Sequence, residues 1–300
     1  MQVQHQVPAY LNQMKEEVDK ALDQYLPPSS QYPKSLIKSM RYSIFAGGKR
    51  LRPILVLAAA EAVNGPVHQI IPFSLGVELI HTYTLIHDDL PTLDNDDLRR
   101  GKPTNHKAFG EATAILAGDA LQTYAFQLMT DTKLLKEIPP KVVLRAVHEL
   151  SRAVGPFGTI GGQMVDLESE DNAIAESTLE YIHTHKTGYL ISASIRSGGI
   201  LSQCSDKDLE ALTHFGKYIG LAFQIIDDIL DVTGDQTRIG KDAKSDVKSK
   251  KATYPALFGV EDSKKKAQKL IDDGIAFLDH FDGRADHLRD IASYFISRTY

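Results

Sequence analysis

The sequence predicts an all-α protein forming a single domain over residues 1–300. Three observations point there. Apolar residues recur at helical spacing along most of the chain. Short alternating runs bounded by turns, the mark of strands, are scarce. Proline and glycine pairs fall between the periodic segments and seldom inside them. With 42% hydrophobic and 24% charged residues, 300 residues can bury a large core, which excludes disordered and low-complexity classes. No compositional shift or linker divides the chain, which favours one large helical unit over two small ones.

The elements follow in order. Helices are expected near 9–25 and 34–46, separated by Pro27–Pro28, and near 53–64, where Pro53 suits a first helical turn. Phe73, Val77, Ile80 and Leu85 trace an apolar helix face that ends in Asp88–Asp89. Helices near 111–130 and 140–154 are bounded by Pro139–Pro140 and Gly155–Pro156. A long helix is expected over 176–201. Leu209, Leu212, Phe215, Ile219, Ala222 and Ile226 trace a second apolar face, again ending in an acidic pair, Asp227–Asp228. Segments near 262–280 and 284–298 complete the set.

Charge and cysteine usage narrow the function. The 34 basic and 39 acidic side chains leave a formal charge of −5, a poor match to a nucleic-acid binder. The single cysteine, Cys204, allows no intrachain disulfide and no Cys-x-x-Cys site, which fits a reducing compartment. Residues 1–13 lack the apolar stretch of a signal peptide. The longest apolar run, Ile54 to Ala60, is far short of the roughly 20 residues of a membrane span. The expectation is a soluble, cytoplasmic protein without stable membrane insertion.

The two acid clusters carry the chemistry. A lone Asp pair reads as solvated helix surface; two clusters, each closing an apolar helix, do not. In the second, Asp227 and Asp231 lie about 40° apart on a helix, with Gln224 and Asp228 close by. Carboxylates crowded beside an apolar stripe repel one another and need a cation. Oxygen-only donors point to a hard ion, Mg²⁺ being the usual one. In the first, Asp88-Asp89-Leu90-Pro91-Thr92-Leu93-Asp94, a regular helix would aim Asp94 away from Asp88. Pro91 ends or distorts that helix, so an irregular turn is expected to return Asp94 to Asp88.

Carboxylates that hold Mg²⁺ in small number usually share it with phosphate oxygens, and the chain supplies phosphate partners. Gly47-Gly48-Lys49-Arg50-Leu51-Arg52-Pro53 is a glycine turn loaded with cations at a helix start. Arg99–Arg100 follow the first cluster, and Lys186–Thr187, beside Gly188, interrupt another helix. Lys241, Lys244, Lys248, Lys250 and Lys251 follow the second cluster. Gly161–Gly162, ahead of Gln163 and Asp166, reads equally well as a close helix crossing. No P-loop pattern is present.

In this order, Gly47-Gly-Lys-Arg-Leu-Arg-Pro, Leu85-Ile-His-Asp-Asp-Leu-Pro, Asp97-Leu-Arg-Arg-Gly-Lys-Pro-Thr, Leu116-Ala-Gly-Asp-Ala-Leu, His185-Lys-Thr-Gly and Phe223-Gln-Ile-Ile-Asp-Asp-Ile-Leu-Asp resemble the motifs of trans-prenyltransferases. The resemblance is nearest to bacterial farnesyl diphosphate synthases and runs from about residue 30 to 298. It implies an isoprenoid-synthase-type bundle of about ten or more helices around a central cavity, as a homodimer. It implies three Mg²⁺ per active site, with Asp88, Asp94 and Asp227 as direct ligands and Asp89, Asp228 and Asp231 as ligands or their supports. Arg99, Lys186, Thr187, Gln224 and Lys241 match positions on the allylic substrate. Lys49, Arg52, His81 and Arg100 match positions on isopentenyl diphosphate. Arg99, Lys186, Thr187 and Gln224 are the residues expected nearest the reacting carbons.

The growing chain should run along the helix that precedes Asp88. Tyr83 lies five residues upstream, about 7.5 Å along the axis, where its ring could floor the pocket near C15. Neighbouring Thr84 is too small to contribute much. Two departures from the family pattern stand out. Lys250 replaces the usual glycine before Lys251, which makes a substrate role for Lys251 less secure, and the C-terminus reads Thr299–Tyr300 where a basic residue is common. The alternatives are a geranylgeranyl diphosphate synthase, a terpene cyclase, a non-catalytic synthase subunit, and a di-iron bundle. The last rests on Glu78-x-x-His81 and Glu180-x-x-His183.

Overall fold

The structure, a computed structural model, describes residues 9–170, 172, 174–233 and 253–297. It is all-α apart from one short hairpin. The helices are α1 (Ala9–Tyr25), α2 (Lys34–Ile44), α3 (Leu51–Ala62), α4 (Ile71–Asp88), α5 (Asn105–Phe109), α6 (Glu111–Thr130) and α7 (Pro140–Val154). There follow α8 (Thr159–Glu168), α9 (Glu176–Ile182), α10 (Tyr189–Leu201), α11 (Asp206–Thr233), α12 (Tyr254–Phe258), α13 (Val260–Ala276) and α14 (Asp286–Ser297).

Two kinds of helix build the bundle. α1 is amphipathic: Leu11, Met14, Val18 and Leu22, spaced three or four apart, form its buried stripe. α3, α4 and α10 are apolar on almost every side, as central helices must be. α4 packs against α6, α10 against α3 and α7, and α11 against α10 and α13. The core runs through Phe73, Leu79, Ile191, Phe215 and Ile226.

Local chemistry explains where the irregularities fall. Leu98–Arg99 pairs antiparallel with Lys102–Pro103. Both connecting residues, Arg100 (φ 54°) and Gly101 (φ 74°), have positive φ, the geometry a two-residue hairpin turn requires. The helix expected over 176–201 is interrupted by π-helix at His183–Gly188. Two short helices, α5 and α12, and the glycine-containing α8 were not expected from periodicity. In α8, a Cβ on Gly162 would lie 2.3 Å from the Lys186 nitrogen. Gly162 therefore serves a close crossing with the His183–Gly188 segment, whereas Gly161 makes room for the Pro156 carbonyl, both at the expense of helix propensity.

Candidate active site

Pro91 acts as the sequence suggests. α4 stops at Asp88, and the following turn brings the Asp94 N–H back to donate to the Asp88 carbonyl at 2.8 Å. The two outer aspartates of the first cluster are thus adjacent. Burial pushes the Asp88 carboxyl up to about 6; Asp94 and Asp89 add to the rise, while Lys186 and Arg99 oppose it. Asp88 therefore faces both its own cluster and the π-helical segment that carries Lys186.

Asp89 turns inward. Arg99 Nε donates to both of its carboxylate oxygens, at 2.7 and 2.9 Å. Asp96 lies 3.6 Å from Arg99 Nη2. Burial works against the Arg99 charge, but its bonds to Asp89 and the nearby acids hold it firmly protonated. The hairpin fixes Arg99 and Arg100 side by side, and Arg100 Nη1 donates to the Gly47 carbonyl. A Cβ on Gly48 would lie 2.6 Å from Arg100 Nη1, so the glycine turn makes room for this guanidinium.

Arg52, Arg100 and His81 form a basic corner. Arg52 Nη1 contacts His81 Nε2 at 3.2 Å. Arginine can only donate, so His81 accepts at Nε2 and carries its proton on Nδ1. Burial, and then Arg52 and Arg100, hold the imidazole well below its ordinary value, hence neutral. Burial also lowers Arg52 to about 10, against support from Glu78 and Asp227. Asp227, from the second cluster, is thus within electrostatic reach of this corner. Lys49 is exposed, with its ammonium 5.7 Å from the centre of the Tyr294 ring.

The second cluster repeats the division of the first. Asp228 is buried: it accepts from the Tyr254 N–H at 3.0 Å and from Gln224 Nε2 at 3.2 Å, and His183 Nε2 lies 3.3 Å away. Gln224 Oε1 accepts from the Thr187 hydroxyl at 2.7 Å. Lys186 donates to Asp166 at 2.6 Å. Asp231 is exposed at the outer side of the same helix. Lys241, Lys244, Lys248, Lys250, Lys251 and Thr299–Tyr300 lie outside the described residues. Asp166, His183, Tyr254 and Arg50 each support a site residue and were not assigned roles from sequence. Asp166 had a signal in its place after the glycine pair, Arg50 in the cation-rich turn and His183 in a Glu-x-x-His spacing, but none of these signals gave the partner.

The di-iron alternative does not survive this geometry. Glu78 pairs with Arg50 at 2.8 Å and His81 with Arg52, while Glu180 accepts from the Tyr254 hydroxyl and His183 faces Asp228. The two Glu-x-x-His pairs are engaged separately.

A polyprenyl synthetase family model matches residues 33–285. The chain belongs to the polyprenyl synthetase family. A farnesyl diphosphate synthase of Geobacillus stearothermophilus is 46% identical over 95% of this chain and 92% of its own. A geranylgeranyl diphosphate synthase of Cyanophora paradoxa is 43% identical over 96% and 95%. Among solved structures, an FPP/GFPP synthase from Zymomonas mobilis, in its apo form, superposes with a TM-score of 0.84 at 37% identity, covering 95% of this chain and 97% of that one. The fold is that of the isoprenoid synthases, and the family is one of prenyltransferases.

Within this polyprenyl synthetase, no three His, Cys, Asp or Glu side chains among the described residues form a metal site by themselves. The oxygen donors of Asp88 and Asp94 nevertheless fit a hard divalent ion. Burial first, and then the neighbouring Asp94 and Asp89, disfavour the Asp88 charge, and such an ion would offset that, with its remaining ligands drawn from substrate or water. Among the described residues no helix is long and apolar enough to cross a membrane.

Proposed function

We propose that the protein condenses isopentenyl diphosphate head-to-tail with dimethylallyl and then geranyl diphosphate, yielding (E,E)-farnesyl diphosphate, with Mg²⁺ as its metal. The observation that carries this reading is the pairing of two unlike anion sites. Asp88 and Asp94 with Lys186 form a site for a metal-bound diphosphate. Arg52, Arg100 and neutral His81 form a site that needs no metal.

When bound, Mg²⁺ neutralises the diphosphate and stabilises the charge it gains on leaving. Arg99, held by Asp89, and Lys186, held by Asp166, add fixed positive charge on the same side. The allylic C–O bond breaks and its electron pair departs with diphosphate. The Thr187 hydroxyl, bonded to Gln224 Oε1, would offer an oxygen dipole to the resulting carbocation. The double bond of isopentenyl diphosphate supplies the electrons of the new C–C bond. A proton is then lost from its C2, and the released diphosphate can accept it. No separate protein base is required, which agrees with the lack of a nucleophile–base pair in the motifs.

Tyr83 supports a C15 limit: it is 5% exposed, packed edge-on to His87, and its hydroxyl is buried. The geranylgeranyl synthase among the relatives makes C20 the competing outcome. The reading extends to one domain over residues 1–300, a cytoplasmic location and a homodimer. Ile115 and Leu116 of α6, Leu144 of α7 and Ile160 and Met164 of α8 are exposed apolar side chains that a second copy could cover. Incubation with isopentenyl and dimethylallyl diphosphates, followed by identification of the dephosphorylated alcohols, tests the function. Farnesol is expected; geranylgeraniol would keep the chemistry and remove the Tyr83 floor.

A further inference from the structure

Arg50 sits in the middle of the turn that offers Lys49 and Arg52, yet it points into the protein. The residue is 2% exposed and its φ is 53°, a left-handed conformation that a long side chain seldom adopts without a compensating contact. The compensation comes from three elements. Arg50 Nε donates to Asp19 of α1 at 2.7 Å, Nη1 to Glu78 of α4 at 2.8 Å, and Nη2 to the Ile44 carbonyl ending α2 at 2.6 Å. Asp19 uses its other oxygen for Lys15, at 2.7 Å. Glu78 lies three residues before His81, whose ring accepts from Arg52.

One buried guanidinium therefore fixes both sides of the basic corner: the turn that carries Lys49 and Arg52, and the register of the helix that carries His81. Asp19 precedes residue 33, where the family match begins, so no compared motif gives it a role. We propose that Asp19, acting through Arg50, is a positioning residue for isopentenyl diphosphate, holding the Lys49–Arg52 turn in the shape that grips the diphosphate. This rests on the functional reading above.

The test uses the full chain carrying Asp19→Asn, which keeps side-chain size and leaves the Glu78 and Ile44 contacts in place. The KM for isopentenyl diphosphate is expected to rise about tenfold, the loss of one contact worth about 1.4 kcal/mol. The KM for dimethylallyl diphosphate and kcat should stay within about twofold, and Asp19→Glu should restore most of the affinity. A general loss of structure would move all three parameters together. Calorimetric titration with inorganic diphosphate in EDTA reads the same corner without turnover, since carboxylates lacking metal repel that anion. About tenfold weaker binding in Asp19→Asn is expected. Unchanged diphosphate affinity, or parallel changes in both KM values, would overturn the inference. A wild-type protein that binds diphosphate but condenses nothing would instead refute the functional reading, with the positioning role still read from the titration.

Discussion

Two adjacent aspartates should respond to the same substitution with opposite signs. Asp88→Asn should stabilise the metal-free protein, and Asp89→Asn should destabilise it. The Asp88 carboxyl lies at about 6 in the fold against an ordinary 3.8, raised first by burial and then by Asp94 and Asp89. That difference corresponds to about 3 kcal/mol of penalty once the group is ionised. Partial hydration of the site reduces this to about 1–2 kcal/mol. Because the folded-state value is the higher one, the fold holds this proton more tightly than the unfolded chain. The penalty is absent below the ordinary value, grows between 3.8 and about 6, and is complete above that. Asparagine removes it.

Asp89 is 3% exposed and grips Arg99 through both oxygens. Removing its charge leaves a guanidinium supported by Asp88 and by Asp96 at 3.6 Å, which keeps the loss near the lower end of the usual range, about 3 kcal/mol. For a chain of this size each kcal/mol moves the melting temperature by about 2 °C, so the expected shifts are about +2 to +4 °C and −6 °C. Scanning calorimetry in EDTA at pH 8 measures both, and at pH 4.5 most of the Asp88→Asn gain should disappear. Both variants should lose turnover. Equal destabilisation by the two, or an Asp88→Asn gain insensitive to pH, would refute the electrostatic account.

The second cluster should divide in the same way. Asp227→Ala should abolish nearly all turnover with little change in melting temperature. Asp228→Ala should cost about 2–3 kcal/mol as well, because it orphans the Tyr254 N–H, His183 and Gln224; urea unfolding of the two variants separates them. Tyr83→Ala should lengthen the product beyond C15, read by chromatography of the alcohols, and an unchanged distribution would remove Tyr83 as the floor.

Much of this was legible in the sequence, for physical reasons. The apolar faces ending at Asp88–Asp89 and Asp227–Asp228 give the helices α4 and α11, because a 3.6-residue period leaves few other ways to bury them. Pro91 foretold the turn that returns Asp94 to Asp88. What periodicity could not tell was which member of each charged pair faces inward. Asp89 and Asp228 are committed to protein donors, and Arg50 is buried between exposed Lys49 and partly exposed Arg52, all of which depends on partners distant in the chain. The interruption at His183–Gly188 was legible from Lys186–Thr187 beside Gly188, but its π-helical form was not, since low helix propensity marks a weak point without saying which hydrogen-bond pattern replaces the α-helix. The short α5 and α12 carry too few residues for any period to show.

The central claim is that two opposed diphosphate sites, one metal-dependent and one built from Arg52, His81 and Arg100, join two isoprenoid substrates. The most direct test is transfer of labelled isopentenyl diphosphate onto geranyl diphosphate by the purified protein, with Mg²⁺ and with EDTA. The account predicts labelled farnesyl diphosphate with Mg²⁺ and none with EDTA. Equal transfer in EDTA, or no transfer with Mg²⁺, would contradict it.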